Sequence, residues 1–480
     1  MHTLIPKPCD LVKALEEWTL SNLTYILDET MTAEVTPLAH YLADLLEHET
    51  GYQIAVAANS EENQDGSIRL ALNGDISLGE EGYELSIRKD SVLLRASQPA
   101  GLFYGIQTLR QLLPPRHSGI VSLPAVSIRD TPRFAWRGAM LDVARHFFCV
   151  EDVKRFIDLI AHYKMNRLHL HLTDDQGWRI QIKAWPKLTE IGGQTQVNGG
   201  GGGYYTQDQY EEIMEYARNR FVTIVPEIDA PGHTNAALAS YVELNCSGQA
   251  PALYEGTEVG FSSLCIDQEI TYQFLNDVIG ELAALTPTPY IHIGGDEARS
   301  TSEQDYKKFI RRIQQIVFCH NKIPVGWAEI GGAELDSRTI AQHWVGASYR
   351  GAQQQGCKII LSPANKTYLD MKYDASTPLG LDWAGHISVQ DSYDWEPGSY
   401  MDGLEEGDIL GIEAPLWSET LSTMNEIEYM AFPRLAGIAE LAWSPNGRVW
   451  DEYKVRLAAH EPHMESLGIN FFRDPDAVKE

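Results

Sequence analysis

The sequence predicts an α/β protein: a (β/α)8 TIM barrel over residues 133–480, preceded by a small α+β domain over residues 1–132. Three observations predict it. From Phe134 onward, apolar strand candidates alternate with amphipathic helical stretches, the signature of parallel βα units. Eight such units fit into about 310 residues, an ordinary size for this barrel. Carboxylates, a histidine and several tryptophans fall just past the strand candidates, where the barrel carries its chemistry.

The elements follow in chain order. Leu38, Tyr41, Leu42, Leu45 and Leu46 recur at helical spacing within residues 37–49, and Thr50-Gly51 ends that helix. Tyr83, Leu85 and Ile87 alternate with Glu84, Ser86 and Arg88; Lys89-Asp90 turns the chain and Val92-Leu93-Leu94 returns, a hairpin pattern. Residues 99–113 form a second helix, stopped by Pro114-Pro115. This first domain carries no recognisable chemistry.

The barrel strands are read at 138–143, 167–172, 222–228, 290–293, 323–327, 339–344, 358–361 and 409–413. Helical stretches follow most of them, at 150–163, 206–220, 270–285, 301–320 and 426–443, and residues 450–467 read as one more helix covering the barrel. A doubly wound sheet is the alternative, but no GxGxxG follows the first strand.

Composition narrows the partners. The chain has 480 residues and 38 Lys+Arg against 67 Asp+Glu, a net charge of -29, which disfavours nucleic acid and anionic lipid as partners. With 44% hydrophobic residues it buries large cores. No apolar run reaches the ~18 residues of a membrane span. The start, Met1-His2-Thr3-Leu4-Ile5-Pro6, lacks the pattern of a signal peptide, so the chain is either cytoplasmic or the mature form of a secreted protein. There are 6 cysteines and no CxxC pair, which argues against zinc. Cys246 and Cys265 form a disulfide or remain two thiols.

Asp296-Glu297 is the sharpest chemical feature. Two adjacent carboxylates after Gly-Gly at a strand end repel each other, and burying both raises the pKa of one, which leaves a proton donor beside an anion. Their bland alternative is a helix N-terminus favouring acidic side chains. Trp327, Trp344, Trp383 and Trp417 fall near strand ends or in long loops. A pyranose presents an apolar C–H face and a polar rim, so flat aromatic rings beside carboxylates predict a sugar pocket. His169-x-His171 places two imidazoles on one side of a strand, as metal pairs do, but no further histidine cluster completes a site. A hydrogen-bonded structural role is expected, with no metal and no cofactor. The run Gly199 to Gly203 lacks the GK[ST] ending of a phosphate loop and reads as a pocket lip or linker.

Six segments carry a resemblance: LDVARHFF (141–148), HLHLTDDQGWR (169–179), PEIDAPGHTNAALASY (226–241), HIGGDE (292–297), TYLDM (367–371) and APLWSET (414–420). In this order they resemble the β-N-acetylhexosaminidases of glycoside hydrolase family 20, most of all bacterial enzymes of the actinomycete type. The resemblance covers about residues 134–470, and the first domain is similar to the small α+β domain preceding the barrel in that family. It implies an exo-acting enzyme that removes terminal, non-reducing β-linked GlcNAc or GalNAc with retention. The substrate's own acetamido oxygen would be the nucleophile and an oxazolinium the intermediate.

By the same resemblance, Glu297 is the general acid and base, Asp296 orients the acetamido N–H, and Tyr368 holds its carbonyl. Trp327, Trp344 and Trp417 would cage the acetamido methyl and the sugar face. Arg145, Asp370 and Glu419 would bind the outer hydroxyls and close the far end, which favours release of a single sugar. Asp174, Asp229 and His233 would support Glu297 and the loop after the second strand. Trp383 would line the leaving-group side or support its loop, and Glu329 and Val345 stand where leaving-group preference varies. The expected partners are N-acetylhexosamine-terminated oligosaccharides or glycoconjugates. A metal-dependent barrel amidohydrolase built on His169 and His171, or a non-catalytic sugar-binding protein, is the competing reading.

Overall fold

The computed structural model describes residues 3–29, 32–58, 66–115 and 120–475; Met1 and His2 of the opening segment fall outside them. The chain divides into two compact units. One comprises residues 1–133, 161–164 and 439–480, the other residues 134–160 and 165–438.

The first unit is built on a seven-stranded sheet of Asp10–Leu20 (β1), Tyr25–Asp28 (β2), Ala55–Ala58 (β3), Ser67–Ala71 (β4), Tyr83–Ile87 (β5), Val92–Ala96 (β6) and Val121–Asp130 (β7), in the order β1-β7-β5-β6-β4-β2-β3. The hairpin predicted at 83–94 is present: β5 and β6 pair antiparallel from Tyr83 opposite Ala96 to Ile87 opposite Val92. Tyr83, Leu85 and Ile87 are buried while Glu84 and Ser86 are not, the alternation of a half-covered sheet. Both predicted helices form, at Thr36–Thr50 and Pro99–Leu112; each has proline in its first turn, and Gly51 ends the former with φ 75°.

The C-terminal helix, Trp450–Ser466, was expected to cover the barrel, within a domain running from 133 to 480. It belongs instead to the first unit. Two of its buried side chains find partners there: Arg456 donates to the Leu4 carbonyl at 2.9 Å and to Glu440 at 2.7 Å, and His460 Nδ1 meets the Thr3 carbonyl at 2.9 Å.

The second unit is a closed, all-parallel barrel, as predicted. Its strands are Trp136–Asp142 (β8), Arg167–His171 (β9), Thr223–Glu227 (β12), Tyr290–His292 (β13), Ile323–Trp327 (β14), Ile340–His343 (β15), Lys358–Leu361 (β16) and Ile409–Leu416 (β17), closing β17 onto β8. A short ribbon past β9 pairs Thr173–Asp174 (β10) with Gly177–Trp178 (β11). Helices Val150–His162, Gln207–Arg218, Glu269–Leu285 and Glu303–Cys319 follow the first four barrel strands. Between β14 and β15 the chain makes only a 3-10 turn, Ala328–Gly332. The single helix read at 426–443 is two, Met424–Ala431 and Arg434–Trp443, because Pro433 supplies no backbone donor. Cys246 and Cys265 are joined by a disulfide.

The barrel interior is apolar at one level, where Trp136, Val225, Val325, Ile340 and Ile360 cluster. A polar layer lies inside as well. His169 and His171 point inward together, and each uses both ring nitrogens on carboxylates: His169 on Glu227 (3.0 Å) and Glu413 (2.8 Å), His171 on Glu227 and on Asp174 (2.9 Å). Glu227 also receives the Trp327 indole at 3.0 Å and faces His292 Nδ1 at 2.8 Å. Four side chains thus satisfy one fully buried carboxylate, the condition for keeping a charge inside a core.

Candidate active site

The candidate residues stand at or past the C-terminal ends of the barrel strands. After β8, the backbone N–H groups of Ala144 and Arg145 both donate to Asp142 Oδ1, at 2.8 and 3.1 Å. That turn aims Arg145 inward, where its guanidinium pairs with Asp174 Oδ2 at 2.8 Å and lies 4.8 Å from the Trp417 ring centroid. Burial opposes the charge, but Asp174, Asp142 and Glu419 outweigh it and hold the guanidinium well above its ordinary range.

After β13 the chain passes through Gly294, with φ 65°, where a Cβ would stand 1.7 Å from Asp229 Oδ1. Only glycine fits so close an approach. The same Oδ1 accepts the Gly295 N–H at 3.1 Å, and the Tyr306 hydroxyl donates to the Gly295 carbonyl at 2.6 Å. This clamps the loop that delivers Asp296 and Glu297. Glu297 itself has φ 42°, a left-handed conformation held by its surroundings. The next helix starts only at Glu303, with Ser302 as its cap, so the acidic pair does not sit at a helix N-terminus.

His233 links this pair to the deeper network. Its Nδ1 lies 3.1 Å from Asp174 Oδ1, and its Nε2 lies 3.5 Å from Asp296 Oδ2 and 3.7 Å from Glu297 Oε2. Burial disfavours its protonation, but Asp174 and Asp296 outweigh burial and hold the imidazole well above its ordinary range. Asp174 is held well below the usual carboxylate range because Arg145 and His233 overcome the cost of burying it. Burial and the neighbouring Asp296 push Glu297 up, against His233, Arg299 and Arg145. The same two causes push Asp229 up strongly.

A cavity of about 450 Å³ opens in front of these groups. Asp296 and Glu297 line it together with Tyr368, Trp344, Trp383 and Trp417, and Arg145, Asp370 and Glu419 line it as well. The Tyr368 ring is stacked against Trp344 at 6.3 Å, and edge-on to Trp383 at 5.8 Å. Burial, then Glu419, pushes Asp370 up. Trp327 does not line the cavity. It is fully buried behind the wall, 5.8 Å from Trp417, with its indole on Glu227.

Two contacts were not read from the sequence. The Trp344 indole donates to both oxygens of Glu329, at 3.0 and 3.1 Å, and burial with Asp296 pushes Glu329 up to about 7. Arg299 pairs with Glu297 Oε1 at 2.6 Å. The only sequence signal for either was proximity, Glu329 to Trp327 and Arg299 to the acidic pair. Clusters such as His169, Glu227 and His292 have the residue types of a metal site. An ion at His169 or His171 would have to displace the carboxylate contacts both rings already make.

The family model for the glycosyl hydrolase family 20 catalytic domain matches residues 134–305 and 299–446, and that for the family's domain 2 matches residues 1–131. The chain belongs to glycoside hydrolase family 20. It is 42% identical over 447 residues to a β-N-acetylhexosaminidase of Cellulomonas fimi, covering 92% of this chain and 90% of the relative. Among solved structures it is similar to a Streptomyces plicatus N-acetyl-β-hexosaminidase in complex with Thio-NAglucal: TM-score 0.95, 52% identity, 99% of this chain and 97% of that one. A mutant of the Streptomyces plicatus enzyme in complex with the product GlcNAc gives TM-score 0.95 and 51% identity, covering 98% and 97%. For a family 20 glycoside hydrolase, the barrel and the preceding α+β domain are the architecture the sequence predicted.

Proposed function

We infer that this family 20 chain is an exo-acting β-N-acetylhexosaminidase that releases terminal β-linked GlcNAc or GalNAc from oligosaccharides or glycoconjugates. One observation carries the reading: Asp296, Glu297 and Tyr368 line a single cavity that also holds Arg145, Asp370 and Glu419. A pyranose seated with its hydroxyls on Arg145, Asp370 and Glu419 has its anomeric carbon turned to the acidic pair.

In the first step the acetamido oxygen attacks C1, the bond from C1 to the leaving oxygen breaks, and Glu297 gives that oxygen its proton. Tyr368 donates to the acetamido carbonyl and holds it beneath C1. Asp296 accepts from the acetamido N–H and stabilises the positive charge of the oxazolinium as it forms. In the second step Glu297, now a carboxylate, takes a proton from water as the water oxygen attacks C1 and the bond from C1 to the oxazolinium oxygen breaks, regenerating the acetamido group. Two inversions leave the β configuration. The elevated pKa of Glu297 supports its role as proton donor, and the placement of Trp344, Trp383 and Trp417 supports an apolar sugar face.

The test compares the 4-nitrophenyl β-glycoside of GlcNAc with that of glucose, which lacks only the acetamido group. The expected result is hydrolysis of the first with retention and none measurable of the second. Equal rates on both would overturn acetamido participation.

A further inference from the structure

Arg299 occupies an unusual position. Its guanidinium touches the oxygen of the proposed proton donor, Glu297 Oε1 at 2.6 Å, yet its side chain is 65% exposed. The stem is seated against Gly260, where a Cβ would come 2.8 Å from Arg299 Cδ. Arg145, the other arginine lining the cavity, is buried and paired with Asp174. Arg299 is therefore the cavity's one exposed cation among the described residues that line it.

Its direction follows from the cavity's two ends. Arg145 and Asp370 are buried and, with the half-buried Glu419, hold the sugar that is released, whereas Trp383 is 53% exposed and Val345 45% exposed at the mouth. Whatever lies beyond Glu297 from the buried end faces the leaving group. When Glu297 carries the proton it must donate, its ion pair with Arg299 is broken, and a solvent-facing guanidinium is left without its partner beside the scissile bond. A neutral leaving group offers it only the weaker acceptance of uncharged hydroxyl oxygens. A carboxylate offers two oxygens in the plane the guanidinium fork prefers.

Resting on the reading of the site as a hexosaminidase, we propose that Arg299 selects substrates whose sugar on the leaving-group side bears a carboxylate, such as a uronic acid. The anion takes Arg299 away from Glu297 and leaves the acid free to protonate the glycosidic oxygen.

The experiment uses two disaccharides of the same linkage, GlcNAc β-linked to glucuronic acid and GlcNAc β-linked to glucose, which differ only in carboxylate against hydroxymethyl. The full chain is assayed as wild type, Arg299→Gln and Arg299→Lys at low and high salt. The expected kcat/KM ratio of acidic to neutral substrate is about 10 in the wild type, the scale of one charge-assisted hydrogen bond. It should fall to about 1 in Arg299→Gln, stay intermediate in Arg299→Lys, and shrink with added salt. A ratio unchanged by Arg299→Gln, or a wild-type ratio at or below 1, would overturn the proposal. Failure to cleave 4-nitrophenyl β-GlcNAc would instead overturn the hexosaminidase reading, so the two failures are separable.

Discussion

His233 is held by Asp174 at 3.1 Å on one ring nitrogen and turns the other toward the acidic pair. The imidazolium is thus a fixed positive charge that lowers the pKa of Glu297. Removing it in His233→Gln should raise that pKa. Since the proposed mechanism requires Glu297 to be protonated, the alkaline fall of kcat/KM should move to higher pH, while kcat drops about tenfold from lost positioning. A pH profile whose alkaline limb stays in place would show that His233 only packs.

Glu297→Gln keeps the side chain's shape and removes its proton. Leaving groups that need protonation should suffer most. With a poor alkyl leaving group kcat should fall by about 10²–10⁴, and with an activated aryl leaving group far less, because that oxygen departs as a stable anion. Equal losses on both substrates would remove Glu297 from the acid role.

In the proposed mechanism Asp296 faces charge that develops on the acetamido group only in the transition state. Asp296→Asn should therefore lower kcat by about 10²–10³ with a smaller effect on KM and an unchanged thermal midpoint. The comparison of kcat with KM decides it: a loss confined to KM would make Asp296 a binding group alone.

The barrel was legible because its signals are local. Each strand is a short apolar run, and β14 and β16 occupy the residues read for them, 323–327 and 358–361. The site was legible because barrel topology sends every strand end to one face, so Asp174, Asp229, Asp296 and Trp417 had to converge once the strands were known. What the sequence withheld depends on side-chain direction and long-range packing. Glu329 follows Trp327 but clasps Trp344, which lies on the next strand's loop, and no spacing rule predicts that contact. Trp327 ends its strand as a pocket residue would, yet its indole donates to Glu227 behind the cavity wall. The helix Trp450–Ser466 has a weak apolar face and several buried polar side chains, so nothing in its pattern said which unit would satisfy them.

That same first unit holds a group of neutral histidines with consequences for acid stability. His162 and His463 stack at 5.2 Å, His460 lies 5.1 Å from His463, and all three are buried. His460 Nδ1 donates to the Thr3 carbonyl at 2.9 Å while its other nitrogen meets the Tyr163 hydroxyl at 3.1 Å, and burial outweighs the protonation that the Thr3 carbonyl favours. Burial pushes His460 down to about 4, and burial with Arg110 and the neighbouring histidines pushes His162 and His463 well below the ordinary value. In the unfolded chain each takes a proton near pH 6.5, whereas in the folded chain it does not, so the unfolded state binds more protons as pH falls. Stability should be complete above pH 6.5 and decline from there toward pH 4, with a loss from His460 of about 2 kcal/mol by pH 5. Urea midpoints at pH 7 and pH 5 measure the decline, and His463→Leu should make it shallower by removing one group that must stay neutral. An equal decline in wild type and His463→Leu would assign the acid sensitivity to other groups.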